Sequence, residues 1–161
     1  MIQATQERLS HALGLVLQGL LAILVLLSTV ETVAWVGFDH SWAAAEEIQG
    51  ILMVWLAVLG AAWGVDQGFH IAVDLLVGRL PQAWQGAIER LAALAVAAFG
   101  GCLAVFGAQL AMRVSNTLPA TGWSAAVSYV PAAVGGALIA LFALGGALAP
   151  RPAGTVTEDG T

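Results

Sequence analysis

The sequence predicts an all-α integral membrane protein: four transmembrane helices, with an amphipathic interfacial helix between spans two and three. Three observations lead there. Of 161 residues, 60% are hydrophobic and only 9% are charged, too few to clothe a soluble domain of this size. The apolar residues are gathered in four long runs, at 12–30, 48–65, 91–112 and 125–149. The arginines are distributed unevenly between the connections, which assigns the runs a direction across the bilayer.

A helix needs ~20 residues at ~1.5 Å each to cross a hydrocarbon core of ~30 Å. The first run, a span at about 12–30, is interrupted only by Gln18, Ser28 and Thr29. It exceeds the ~7–15 apolar residues of a cleaved signal segment, and no small-x-small site follows, so it reads as a retained span. Glu31 comes next. A carboxylate at mid-bilayer would cost roughly 2.5–3.5 kcal/mol on insertion scales. Ending the span at Val30 leaves Glu31 at the interface and avoids that cost.

Span two, about 46–66, opens with Glu46 and Glu47, where carboxylates complement the positive end of the helix dipole. Arg113 does the converse at the end of span three. Beyond span two, Gly64 and Gly68 permit a bend. The stretch GVDQGFHIAVDLL then spaces Asp66, His70 and Asp74 four apart. At about 100° per residue, His70 falls about 40° from Asp66, Asp74 about 80° and Gln67 about 100°. Apolar residues from Phe69 to Leu80 fill most of the remaining arc. This spacing predicts a helix at about 69–80, ended by Pro81, lying in the interface with its polar face solvated. A metal site built on His70 and two carboxylates would need a fourth ligand and a closed cavity, and the stretch supplies neither.

Span three, about 82–113, would be about 48 Å long at ~1.5 Å per residue and must tilt or project. Two small-residue stripes, Ala93–Ala97–Gly101 and Gly100–Ala104–Ala108, suggest neighbours on both of its sides; Gly60–Gly64 is the corresponding feature of span two. Cys102 reads as a small packing residue. Span four, about 125–149, carries Pro131 near one end, where a missing N–H can kink the helix. The polar tail, 150–161, lacks periodicity and is expected to be disordered.

Four of the five arginines, Arg8, Arg79, Arg90 and Arg151, lie before span one, between spans two and three, and after span four. The positive-inside rule then places both termini in the cytoplasm. Trp35, Trp42 and Trp123 fall at the outer boundary and Trp63 and Trp84 at the inner one, with Trp55 near mid-membrane. A net charge of −5 argues against nucleic acid. There is no Gly-rich phosphate loop, no HExxH, no paired Cys and no convincing catalytic Ser–His pair, so no enzyme site, metal or cofactor is expected. The spans also hold too few polar groups to bind a solute.

The segment AEEIQGILMVWLAVLGAAWGVDQGFHIAVDLLVGRLP resembles the DctQ-type small permease subunits of TRAP transporters, the tripartite ATP-independent periplasmic systems. The resemblance runs through the acidic pair Glu46–Glu47, the W-L-x-x-L-G of Trp55 to Gly60, and the H-I-x-V-D of His70 to Asp74. It closes on Leu80–Pro81. The motif covers about a quarter of the chain and the four-span plan all of it. Members often carry basic residues just before the H-I, where this chain has Asp66 and Gln67.

The resemblance implies a bacterial inner-membrane complex. A periplasmic binding protein captures a solute, often an organic acid, and a large membrane subunit imports it on a sodium gradient. The small subunit binds the large one stably and the binding protein transiently, as a scaffold with no solute site of its own. Candidate interface residues are then Glu46, Glu47, Trp55, Gly60, Gly64, His70 and Asp74, with the lipid bilayer as the remaining partner. Two other readings stay open: a four-span proton-coupled exporter using Glu31, and an assembly protein with no transport partner.

Overall fold

The computed structural model describes residues 2–77 and 82–148, with side chains over 8–67 and 85–146. They form α1 (Ile2–Phe38), α2 (Ala43–Val77), α3 (Gln82–Arg113), a short 3₁₀ turn (Ala125–Ser128) and α4 (Val130–Leu148). Four segments, Arg8–Phe38, Ala43–Gln67, Gln85–Arg113 and Ala125–Gly146, are long and apolar enough to cross a membrane. This is the expected all-α, four-helix membrane architecture. In hydrocarbon every backbone N–H and C=O must be paired within the protein, which favours long unbroken helices over bends and loops.

That preference overrides two local signals. α1 does not stop near Val30 but runs to Phe38, so Glu31 lies inside the helix rather than just beyond it. Thr29 and Thr32 fit this continuation by donating their hydroxyls to the Val25 and Ser28 carbonyls at 2.7 and 2.8 Å. The helix ends at Asp39, whose φ of 50° is left-handed, a conformation Asp tolerates better than most residues. Likewise α2 passes Gly64 and Gly68 without interruption. The stretch expected as a separate interfacial helix is, through Val77, the continuation of α2; Gly78, Arg79 and Leu80 lie outside the described residues, as does the tail from 149.

Pro131 does not kink span four. It is fully buried in the first turn of α4, where its missing N–H is not needed. The 3₁₀ turn before it is capped by Ser124, whose hydroxyl accepts from the Ala126 N–H. Tyr129 and Ala132 carry the backbone bonding from that turn into the helix.

Packing runs in a row, α1 against α2, α2 against α4, α4 against α3. α3 and α4 touch backbone to backbone. A Cβ on Gly136 would lie 2.5 Å from the Ala104 nitrogen and 2.7 Å from the Gly100 oxygen. One on Gly100 would meet the Ala140 nitrogen at 2.7 Å, and one on Gly107 the Ala133 nitrogen at 2.7 Å. The contact seam of α3 is therefore Ala93, Ala97, Gly100, Ala104 and Gly107, alternating steps of four and three. A strict four-residue stripe drifts round the helix, whereas the alternation stays on one side. The expected pair of stripes is thus a single one. Gly101 meets nothing within 4 Å, and Cys102 is exposed rather than packed.

α2 meets α4 as closely, with Val58 pressed against Gly135. Leu13, Leu59, Ala62, Ile139 and Phe142 close the core between α1, α2 and α4.

Candidate functional site

Among the described residues, side-chain hydrogen bonds joining two elements stand out at three places. Two of them join α1 to α2. Toward the start of α1, the Gln67 amide donates to the buried Ser10 hydroxyl at 3.2 Å, one turn from Trp63, whose indole lies over Gly14. Toward the other end, the Gln49 amide donates to the Glu31 carboxylate. Gln67, expected on a solvated face, is exposed and also reaches the neighbouring helix. Asp66 beside it is half-buried and also has an interaction partner. A wheel reports which residues share an arc of one helix but not which arc the next helix covers.

The third place is the connection between α3 and α4. Glu47, half-buried in the second turn of α2, accepts three hydrogen bonds from it. The Ala120 N–H approaches one carboxylate oxygen at 2.8 Å; the Thr121 N–H and hydroxyl approach the other, each at 2.9 Å. Sequence reasoning gave Glu47 a helix-capping role. In the structure the carboxylate is occupied by the loop, while Glu46 is the acidic residue in the first turn of α2 and is exposed. The donors on the loop are two main-chain amides and one threonine, which no sequence motif announces.

The loop has its own framework. Leu118 N–H donates to the Trp123 carbonyl at 2.7 Å, Gly122 N–H to Leu118 at 2.9 Å and Ala125 N–H to Asn116 at 2.9 Å. Thr117 and Ser124 form an isolated antiparallel bridge, and Gly122 supplies the positive φ of 71° that the turn requires. Trp123 remains half in the open at 50% exposure.

The other candidates separate clearly. Trp55 is half-buried against the chain's own core. Gly60 and Gly64 face open space, since an added Cβ on either meets nothing within 4 Å. With Gly50, Met53 and Ala57 they form an uncovered strip along α2. The helical backbone of α2 includes His70 and Asp74, but their side chains lie outside the described residues. Among the described residues no three His, Cys, Asp or Glu side chains converge as metal ligands would.

Comparison with known proteins agrees with this architecture. Residues 24–150 match the family described as "Tripartite ATP-independent periplasmic transporters, DctQ component". A "Putative TRAP transporter small permease protein" of Haemophilus influenzae is 25% identical over 142 residues, covering 86% of this chain and 87% of that protein. A "C4-dicarboxylate TRAP transporter small permease protein DctQ" of Rhodobacter capsulatus is 36% identical over 86 residues, covering 52% of this chain and 37% of that protein.

Proposed function

The chain belongs to the DctQ family of TRAP transporter small permeases, and from that premise we propose that it scaffolds the large subunit of a sodium-coupled importer of an organic acid. It is a multi-pass membrane protein and a transporter subunit, a family that works with a large membrane subunit and a binding protein. The row of helices carries the scaffold reading. Among the described residues α1 packs chiefly against α2, with Leu13 in the core shared with α4, and its apolar side chains Val25, Leu26 and Val33 stand more than half exposed. A row offers two broad faces to lipid and to a partner, where a closed bundle would cover its own. The Glu31 carboxylate, which an exporter would need to load and release protons, is engaged by the Gln49 amide of the neighbouring helix. The substrate class follows the C4-dicarboxylate in one relative's name.

In this reading the complex sits in the bacterial inner membrane with both termini cytoplasmic, as four of the five arginines favour. The α1–α2 and α3–α4 connections, which Glu47 brings to one end, then face the periplasm. The C-terminal part of α2, with His70 and Asp74, lies at the inner interface. Gly60, Gly64 and Glu46 on the open side of α2 are the residues placed for contact with the large subunit.

Reconstitution tests this reading. The chain with its large permease, sodium gradient and loaded binding protein should take up solute, and omission of the chain should abolish uptake. Uptake by the chain alone, lost in Glu31→Gln, would establish the exporter instead.

A further inference from the structure

We propose that Glu47 is a positioning residue: its carboxylate holds the α3–α4 connection in one conformation, and through that connection the small subunit meets the loaded binding protein. This rests on the reading above for the partner, but not for the clamp.

The clamp is geometric. Residues 114–124 join two helices and could have remained a loose strap. Instead they are tied across their own width by backbone bonds and the Thr117–Ser124 bridge. They are then fastened at the tip to a third helix through Glu47. The Thr121 hydroxyl donates to Glu47 at 2.9 Å, and its oxygen lies 3.4 Å from the Trp123 N–H, within reach to accept from it. The charge on α2 therefore orients the backbone that presents Trp123. An ionised carboxylate suits this task because both oxygens only accept and all three loop groups donate. Glutamine would turn an N–H₂ toward at least one donor.

An ordered loop has already given up its conformational entropy, so a partner docking on it does not incur that cost again. Its chemistry fits a protein partner. From Val114 to Val130 there is no charged residue, and the exposed groups around one half-exposed tryptophan are neutral, the polar Ser115, Asn116, Thr117 and Ser124 beside the small or apolar Pro119, Ala120 and Gly122. Tryptophan within an uncharged rim is a common make-up of an energetically dominant contact. Simple anchoring to lipid headgroups would need the indole but no fixed loop. Trp35 and Trp42, on and beside the end of α1, already offer exposed indoles.

Two measurements test the proposal. In the isolated full-length chain, amide hydrogen exchange at Ala120 and Thr121 should speed up in Glu47→Gln and be partly restored in Glu47→Asp. Unchanged exchange would overturn the clamp. In the reconstituted complex, with the large subunit co-purifying at normal yield, uptake is followed while the loaded binding protein is titrated. Glu47→Gln and Trp123→Ala should each raise its half-saturating concentration roughly tenfold with little change in maximal rate. Trp123→Ala removes no clamp bond and keeps the test valid if Glu47→Gln assembles poorly. Loss of thermal stability in Trp123→Ala with an unchanged half-saturation point would assign the indole to lipid and overturn the docking role. Wild-type uptake that needs no binding protein would instead remove the partner while leaving the exchange result standing.

Discussion

The two ends of the helix row are built on opposite principles. α3 and α4 are held by what their sequence lacks: Gly100, Gly107 and Gly136 have no side chains, so the two backbones approach to contact. α1 is held by what its sequence contains, a buried serine and a glutamate, each bonded to a glutamine on α2. Without a hydrophobic drive between helices in lipid, dispersion at close range and interhelical hydrogen bonds are the attractions left. One gives a tight, shape-specific pair. The other gives a helix fastened at a few points, with most of its surface free. The difference suggests a rigid half and a lightly attached half, joined by α2.

The most damaging change should therefore be to the glycine seam. Gly136→Leu drives a side chain into the backbone of α3 at Ala104 and Gly100 and should cost about 3 kcal/mol or more. Unfolding of the purified protein in detergent would measure it. Gly101→Ala, one residue from the seam and facing open space, should be neutral or stabilising by up to about 1 kcal/mol through helix propensity. Equal losses for the two would mean that α3 and α4 do not meet along this seam.

A smaller effect is expected where α1 is attached. Gln49→Leu removes the donor to Glu31 and should cost about 1 kcal/mol, in the range of hydrogen bonds between membrane helices. Glu31→Gln should cost less, because an amide can still accept from Gln49. A double-mutant cycle gives the coupling directly. A coupling near zero would show that this bond does not hold α1, leaving its apolar contacts and the Gln67–Ser10 bond to do so.

The smallest effects should come from His70→Ala and Asp74→Ala. If these residues are the solvated side of the inner end of α2, each should change stability by less than about 0.5 kcal/mol and leave uptake insensitive to chelators. Loss of uptake with normal assembly would bring that stretch into the mechanism and replace the contrast between seam and tether with a third functional region.

By itself, the sequence determined the class of this protein, four membrane helices with no strand core, because hydrocarbon admits so few backbone solutions that apolar run length alone selects one. It also determined the family, through Glu46–Glu47, Trp55 to Gly60 and His70 to Asp74. Only the tertiary structure decided which of those residues touch anything. Trp55 went to the core, Gly60 and Gly64 to open space, and Glu47 to a loop more than seventy positions away in the chain. It also decided that α1 runs past Glu31 and that α2 does not break at its glycines. The physical reason is the same in each case. Local patterns state what a residue can do, whereas the pairing of a polar group or the bareness of a glycine acquires its meaning from the element packed against it, which is chosen by the whole arrangement.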